Sequence, residues 1–342
     1  MSSRFAALWA CALALLLVGL MLVSVAVGSA DIASRDVWAS IRAGFGVSLP
    51  QTPSLAVQSI VLDLRLPRAL LALLVGAGLA LVGVLLQTVT RNDLADPFLF
   101  GLSSGAAAGA VAVIVVIGDL LGRWTLPSAA FAGGMLAAAS VLVLVARARG
   151  AGPEHMVLAG LAVSFLFSAL THFLVFAGDQ RAAHSVLFWS LGGLGLARWD
   201  NLPIAFVGLA ALIAYGGARR HALDALLAGD DTAHSLGIDP RRVRTEAFVT
   251  CAFATASFVA LAGVIGFVGL MVPHLARAMT GALHGGVMLF SALLGALLLV
   301  ASDIACRTLL APQELPVGIV TASIGAIFVI GMLWRRPARD GA

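Results

Sequence analysis

The residue types that carry most protein chemistry are sparse in this chain and do not cluster along it. No HExxH or CxxC motif occurs, so the patterns typical of a zinc protease and of a dithiol site are absent. All 21 basic residues are arginines, and without lysine the chain has neither a Walker A phosphate loop nor a Schiff-base nucleophile. We therefore predict no catalytic residue, no metal-binding residue and no cofactor bound by this chain itself.

One apolar segment carries a polar stripe. Ser164, Ser168 and His172 recur at every fourth position, a spacing that puts them on one face of a helix. An ionisable residue inside a membrane helix is a candidate for a transport pathway, and an imidazole can also bind a metal. The alternative is that His172 only hydrogen-bonds a neighbouring helix. We keep the three residues as pathway candidates.

A second candidate segment is 263–277, where glycines and a proline interrupt an apolar run. This pattern predicts that one helix ends, the chain turns and a new helix begins, and broken helices occur at membrane depth only where protein or a water-filled cavity surrounds them. The alternative is a packed turn with a basic end at the lipid headgroups. The residues singled out are Gly266, Gly269, Pro273, His274 and Arg277.

The composition indicates the elements that must position these residues. The chain has 342 residues, of which 61% are hydrophobic and 11% charged, and its mean hydropathy is +1.03. Soluble domains carry about 25% charged residues. A soluble enzyme, a nucleic-acid binder and a disordered protein are therefore poor interpretations. We expect an all-α integral membrane protein, because a membrane-crossing helix needs about 20 mostly apolar residues.

Ten apolar segments predict about ten transmembrane helices in a single domain, 1–342. We expect the first segment to be a retained helix, because its apolar stretch is longer than that of a secretory signal. The predicted spans are 5–28, 66–88, 97–118, 126–146, 156–176, 203–217, 246–265, 268–282, 287–309 and 317–334.

The arginines orient these spans. With a cytoplasmic N-terminus, 13 of the 21 arginines lie inside and 8 outside, which agrees with the positive-inside bias. Arg65, Arg68 and Arg307 are among the outer ones, and Asp303 lies four residues before Arg307, a spacing that favours an ion pair. These arginines suit a basic rim that receives carboxylates of an extracytoplasmic partner; headgroup anchoring or an internal salt bridge is the alternative.

Two polar connections are expected on the inner side. The segment 91–97 has the composition of a tight turn. In the loop 227–238, Asp230 or Asp231 can cap a short helix and Gly237 can end it. Such a helix suits a groove on a partner protein, and a solvated interfacial helix is the alternative.

Several of these segments together resemble the permease family of binding-protein-dependent ABC importers for iron chelates, haem and cobalamin. The resemblance covers about residues 60 to 334. It rests on the segments 65–68, 83–87, 91–97 with 101–105, 188–192, 263–277 and 314–318, which include Pro316 and Gly318.

The resemblance implies the type II ABC importer permease architecture and a function, the import of an iron chelate (a ferric siderophore or haem). It implies a second copy of this chain, two ATP-binding cassette subunits that use ATP and Mg²⁺, and an extracytoplasmic substrate-binding protein. The membrane would be the cytoplasmic one, with both termini on its cytoplasmic side. Cobalamin import is the first alternative; an ion-coupled secondary transporter and an intramembrane enzyme are weaker ones.

The resemblance also implies roles for particular residues. Binding-protein docking falls to Arg65, Arg68 and Arg307. The cytoplasmic gate falls to Asn92, Leu94, Gly152, Pro153 and Glu154. Coupling to the ATPase falls to Gly229, Asp230, Asp231, Ala233, His234, Leu236 and Gly237. The chain departs from the family pattern at Asp93, where the family usually has Pro.

Overall fold

The structure is a computed structural model that describes residues 3–28, 30, 32–44, 46–47, 53–118, 120–148 and 152–334, with no account of the side chains of residues 3, 4, 180 and 181. Every regular element in these ranges is helical, which confirms the predicted all-α class. Arg149 and the three arginines after residue 334 lie outside the described residues.

Each of the ten predicted apolar segments forms a helix. Proline in the first turn, where a missing N–H costs nothing, begins several of them. The helices are α1 Ser3–Ala26, α4 Leu66–Thr90, α5 Leu102–Ala112, α6 Thr125–Arg147, α7 Pro153–Ala177, α9 Leu202–Ala218, α12 Pro240–Ala262, α13 Val268–Thr280, α14 His284–Thr308 and α15 Val317–Trp334.

Seven described helices are long and apolar enough to cross a membrane alone. One of them is continuous over Leu55–Thr90, because α3 (Leu55–Ser59) and a π-helical stretch, Ile60–Arg65, run into α4. The helix α5 is extended by π-helical turns at Val113–Ile117. With 13 residues, α13 is about 20 Å long at 1.5 Å per residue. It is therefore shorter than the ~30 Å hydrocarbon layer.

Four short helices lie in the polar stretches between the long ones. They are α2 Ser34–Gly44, α8 Gln180–Ser190, α10 Arg220–Leu227 and α11 Asp230–Ser235. Only α11 is predicted from the sequence. The helix α10 follows α9 at an angle of 69°, so the chain bends sharply where it leaves the membrane-spanning part.

The helix α4 is the centre of the bundle and is buried along most of its length. It packs against α9, α12, α13 and α14. Glycines allow the closest approaches: a methyl group on Gly83 would collide with the carbonyl of Gly269, and one on Gly76 with that of Gly295. In lipid, such small residues let helix backbones come together and pack.

Gly101, Gly105 and Gly109 recur at every fourth position, a spacing that predicts a ridge of small residues on one helix face. Two of the three form such a ridge. Gly105 and Gly109 face α6, where added methyl groups would meet the backbone of Gly133 and Ala129. Gly101 lies instead against Val163 of α7. The apolar outer faces of α1, α6, α7 and α15 are not covered by other described parts of the chain.

Candidate functional site

The candidate residues gather at two opposite ends of the bundle. The Arg65 end is the set of Arg65, Arg68 and Arg307, next to the last turn of α1. The α11 end is the set of Arg91, Asp230 and Arg244 around the short helix α11. The long helix α4 runs from the first end to the second.

At the Arg65 end, two arginines bind the carbonyl oxygens that end α1. Arg65 donates from Nη1 to Val25 O (3.1 Å) and Ala26 O (2.8 Å). Arg307 donates from Nη1 to Ser24 O (3.0 Å) and Val27 O (2.7 Å). The last carbonyls of a helix lack intrahelical donors, and a cation there also suits the helix dipole. Both arginines are buried, so they do not form the exposed rim expected from the sequence.

Arg68 belongs to an ion-pair network that extends from the buried Asp303 to the exposed Glu314. Its Nε donates to Asp303 Oδ1 at 2.8 Å and its Nη1 to Glu314 Oε2 at 2.7 Å. The predicted pair of Asp303 with Arg307 is confirmed, with Nε and Oδ2 3.0 Å apart. A cavity of about 260 Å³ opens beside this network and is lined by Arg65, Arg68, Arg307 and Glu314, among others. Within one chain, the alternative of internal salt bridges therefore applies to Arg68 and Arg307, whereas Arg65 donates to backbone carbonyls.

The predicted short helix in the loop 227–238 is present as α11, but its start differs from the prediction. Gly229, with φ +120°, occupies the capping position, and no side chain caps the helix. Asp230 does not cap, because its carboxylate is turned toward arginines of other helices. Gly237 follows the helix with φ +74°, as its predicted role in ending the helix requires.

Two arginines hold α11 against the bundle through Asp230. Arg244 of α12 donates from Nη2 to Asp230 Oδ1 (2.6 Å) and from Nη1 to Oδ2 (3.0 Å), the bidentate geometry that makes such pairs strong. Arg91, at the end of α4, also pairs with Asp230. The hydrogen bonds from Arg244 hold the pKa of Asp230 below its usual value. The sequence does not predict these two pairs, since each joins Asp230 to an arginine of another element.

The other coupling candidates point away from the bundle. Asp231, His234, Leu236 and Gly237 are exposed, and Ala233 is buried against the body of the protein. Leu236, which caps the end of α11, is 64% exposed. An exposed leucine in such a place suits contact with another protein.

The gate candidates lie in two segments at the α11 end of α4 and α7. Asn92 Oδ1 accepts a hydrogen bond from Leu94 N at 3.0 Å, which closes the predicted turn and leaves Leu94 50% exposed. Gly152 immediately precedes α7, which begins at Pro153. Glu154 lies 3.3 Å from His155 Nδ1.

Arg277 connects the turn at 91–97, named the gate turn after the candidate role of Asn92 and Leu94, to the interrupted segment 263–277. It donates to Gln87 Oε1 of α4 and lies 3.3 Å from Asp93. Gln87 Nε2 in turn donates to Gly269 O at 3.1 Å, at the start of α13. The predicted break is confirmed, because α12 ends at Ala262 and α13 begins at Val268.

The remaining structural residues also contact one another across distant parts of the sequence. Gly318 N donates to Leu191 O and Val317 N to Gly192 O, both at 3.1 Å, while Gly193 N donates to Ala262 O at 2.8 Å. The Pro316–Gly318 turn is thereby joined to the end of α12. Three further residues of the interrupted segment pack nearby: Gly266 against Phe98, His274 against Phe328, and Pro273 buried inside α13.

The polar stripe of α7 divides into two parts. Ser164 Oγ donates to Phe98 O at 3.2 Å, so it lies against the segment that follows the gate turn. Ser168 is half-buried and His172 is exposed on the uncovered face of α7. Within the described residues, no three histidine, cysteine or acidic side chains are grouped as metal ligands.

This arrangement, ten apolar helical segments with an arginine-tethered short helix at one end, agrees with the comparisons with known proteins. A model of the FecCD transport family matches residues 15–335. The chain belongs to this family. A FecCD protein is a transport permease, and this chain is therefore a permease subunit rather than an enzyme.

This FecCD chain aligns with its relatives over almost its whole length. It is 36% identical to the cobalamin import system permease BtuC of Halobacterium salinarum, over 99% of both chains. It is 35% identical to the hemin transport permease HmuU of Yersinia pestis, over 94% of this chain and 96% of the relative. A solved structure of a metal-chelate type ABC transporter, in an inward-facing conformation, superposes with a TM-score of 0.82 at 30% identity and covers 95% of this chain and 98% of that one.

Proposed function

We propose that this FecCD permease imports an iron chelate, a ferric siderophore or haem, across the cytoplasmic membrane with energy from a separate ATPase. The match to a metal-chelate transporter over 95% of the chain supports the substrate class, and the similarity to a hemin permease supports it independently. The chain itself would bind no cofactor, since ATP and Mg²⁺ would be held by the ATPase subunits.

The observation that carries the proposal is the way α11 is presented. Its inner side is fixed by the ion pairs of Asp230 with Arg91 and Arg244, while Leu236 and His234 face outward. A short helix that is rigidly attached and exposes an apolar residue is suited to a groove on a partner. We infer that each of two copies of this chain inserts its α11 into such a groove on one of two ATP-binding cassette subunits. This contact would place the α11 end in the cytoplasm.

The binding protein is proposed to dock at the opposite end. Arg65 and Arg307 are buried against α1, whereas the side chain of Arg68 is 14% exposed and pairs with the exposed Glu314. Arg68 and the mouth of the 260 Å³ cavity are therefore the positions that a carboxylate of the binding protein would approach. Opposite charge across an interface guides docking and sets its register. Arg65 and Arg307 then support the site by holding α1 in place.

A second copy of this chain would cover part of the uncovered apolar surface. The faces of α7 and α15 are the candidates, because only 17% of each is buried in the single chain. Ser164, Ser168 and His172 of α7 would then border a pathway between the copies. The gate would be formed by Asn92 and Leu94 together with 152–154, and both termini would lie in the cytoplasm.

Substrate uptake tests the proposed substrate class. The permease is reconstituted in proteoliposomes with its ATPase and binding protein, and uptake of haem, ferric citrate and cyanocobalamin is measured with and without ATP. ATP-dependent uptake of haem or ferric citrate is the expected result. Uptake of cyanocobalamin alone would mean that the substrate is cobalamin and not an iron chelate. The Halobacterium relative favours this alternative.

The ATPase contact is tested by placing a charge on α11. Leu236→Asp should abolish co-purification of the ATPase, because the leucine would no longer enter an apolar groove. Leu309→Asp is the matched control, since Leu309 is 65% exposed but lies at the Arg65 end. Retention of the ATPase by Leu236→Asp, or its loss from both variants, would contradict the assignment of α11.

The docking surface is tested with Arg68→Gln. This change should weaken binding of the binding protein in a pull-down or by surface plasmon resonance, and the effect should shrink at high salt. Arg35→Gln is the control, because Arg35 is exposed and lies in α2, outside the network. Unchanged affinity of Arg68→Gln would place the docking surface elsewhere.

A further inference from the structure

A chain of three polar side chains, two of them buried and Asp224 24% exposed, connects α10 to α14 and α4. Asp224 of α10 accepts hydrogen bonds at Oδ1 from His284 N (2.9 Å) and from His284 Nδ1 (2.6 Å). On the other side of the ring, His284 Nε2 lies 2.8 Å from Thr88 Oγ1 of α4. His284 is 1% exposed and Thr88 is 3% exposed. Direct side-chain contacts thus join three helices.

The hydrogen-bond donors and acceptors of these three side chains match one another. A carboxylate only accepts hydrogen bonds, so Nδ1 of His284 carries a proton toward Asp224. Thr88 Oγ1 lies within hydrogen-bond distance of both His284 Nε2 and Val84 O, so its hydroxyl has a partner in either direction. The carboxylate also caps the start of α14, where free N–H groups and the helix dipole favour a negative charge.

Packing alone does not account for three polar groups in this place. Burying polar side chains costs free energy unless all of them are hydrogen-bonded, and an apolar set of the same shape often packs as well. What the polar chain adds is one fixed alignment of α10, α14 and α4, because hydrogen bonds are directional whereas apolar contacts allow sliding.

The chain lies between the two parts that coupling must connect. Asp224 is in α10, which is followed by α11 after the short linker 228–229. Thr88 is in the last turn of α4, four residues before Asn92 of the gate turn. Two side-chain contacts therefore join α10 to the end of α4, beside the direct contacts of Arg91 with Asp230 and with Leu226 O.

We propose that Asp224, His284 and Thr88 form a transmission link through which movement of α10 and α11 by the ATPase reaches the gate end of α4. His284 and Asp224 are positioning residues in this proposal, because they act through Thr88. The proposal rests on the proposed function of α11 as the ATPase contact, and it adds the route by which that contact acts on the gate.

The test compares two threonines of the same helix turn. Thr88→Val removes the hydroxyl of the link and keeps the shape of the side chain. Thr90→Val is the matched control: its hydroxyl is also buried, but it donates to Leu86 O of its own helix at 2.6 Å. The control therefore removes a hydroxyl that takes no part in the contact with His284.

The gate is observed through Leu94→Cys, with Cys11→Ser as background because Cys11 is exposed while Cys251 and Cys306 are buried. The complete transporter is placed in nanodiscs, and maleimide labelling of position 94 is timed with and without ATP and Mg²⁺. ATP should change the labelling rate in the background and in Thr90→Val. In Thr88→Val that change should be smaller by about fivefold or more, while ATP hydrolysis stays within about twofold.

His284→Asn and His284→Gln test the link at its central residue. They show whether the link transmits the ATP response if Thr88→Val does not fold. Asn keeps a donor near Nδ1 but does not reach Thr88, so it should lose the ATP response; Gln reaches the position of Nε2 and should keep part of it. A full ATP response in Thr88→Val or in His284→Asn overturns the link and leaves the role of α11 intact. Absence of any ATP response in the Leu94→Cys background with the ATPase bound overturns the coupling function and the link together.

Discussion

The two ends of the bundle use the same pattern, one aspartate between two arginines, with different results. At the Arg65 end, the side chain of Asp303 is 0% exposed between Arg68 and Arg307. At the α11 end, the side chain of Asp230 is 34% exposed between Arg91 and Arg244. The first network fixes a transmembrane helix, α1, through its last carbonyls, whereas the second holds a short surface helix. Burial therefore decides whether such a network is an anchor of the fold or an attachment that a partner can use.

The largest effect in this comparison is expected from Arg307→Ala. It leaves Ser24 O and Val27 O without their Arg307 donor, and it leaves Asp303 with Arg68 alone, in a buried place. Breaking a buried pair of this kind costs about 3–5 kcal/mol, so the detergent-solubilised variant should unfold at a clearly lower temperature or fail to accumulate. Arg35→Ala, which breaks an exposed pair at the same end, should leave the melting temperature unchanged. Equal melting temperatures for both variants would remove the anchor role.

A smaller and local effect is expected from Asp230→Asn. The amide keeps the shape but weakens both arginine contacts, and the partial exposure of the site limits the loss to about 1 kcal/mol. Backbone amides of α11 should therefore exchange with deuterium roughly fivefold faster, with the melting temperature of the bundle unaltered. Asp231→Asn, one residue further along and exposed, should exchange at the parental rate. A change confined to α4 or α14 would contradict the attachment.

The contribution of Asp230 should also follow pH in a defined direction. Because the folded pKa of Asp230 lies below the usual aspartate value of 3.8, its stabilising effect is complete above that value and is lost as the pH falls through the lowered pKa. The difference in α11 exchange between the parent and Asp230→Asn should be constant from neutral pH down to about pH 5. It should then shrink in stronger acid. A difference that is already lost at pH 6 would assign the effect to another group.

The smallest effect at the α11 end is expected from Asp93→Asn. The pair of Asp93 with Arg277 spans 3.3 Å, but the Asp93 side chain is 76% exposed, and such surface pairs contribute about 0–1 kcal/mol. We expect backbone amides of the turn at 91–97 to exchange slightly faster at low salt and at the parental rate at high salt, with the melting temperature of the bundle unaltered. A larger change than that of Asp230→Asn would mean that the gate turn, rather than α11, is the main attachment at this end.

Much of the fold can be predicted because membrane helices are encoded locally. Each of the ten apolar segments becomes a helix, since backbone groups in lipid can only be satisfied within the segment. The glycine interruption at 263–267 and the glycine contacts of α5 can also be predicted, because each follows from residues that are close together in the sequence. The short helices α2, α8 and α10 are not predicted, because they lie in polar stretches where no run of apolar residues marks them.

The candidate site can be predicted in part. The pair of Asp303 and Arg307 is one helical turn apart and follows from spacing alone. The pairs of Arg244 with Asp230 and of Arg68 with Glu314 join different helices and loops, so no local pattern announces them. The burial of Arg65 escapes prediction for this reason too, since its acceptors are carbonyls of α1.

The sequence by itself determined the membrane class and the positions of the helices, because both depend on composition or on neighbours within a few residues. Tertiary structure alone decided which arginines are buried, which carboxylates they meet, and that His284 joins Asp224 to Thr88. The physical reason is that an arginine or a histidine has the same local propensity in each case, whereas its environment is set by helices that are far apart in the sequence.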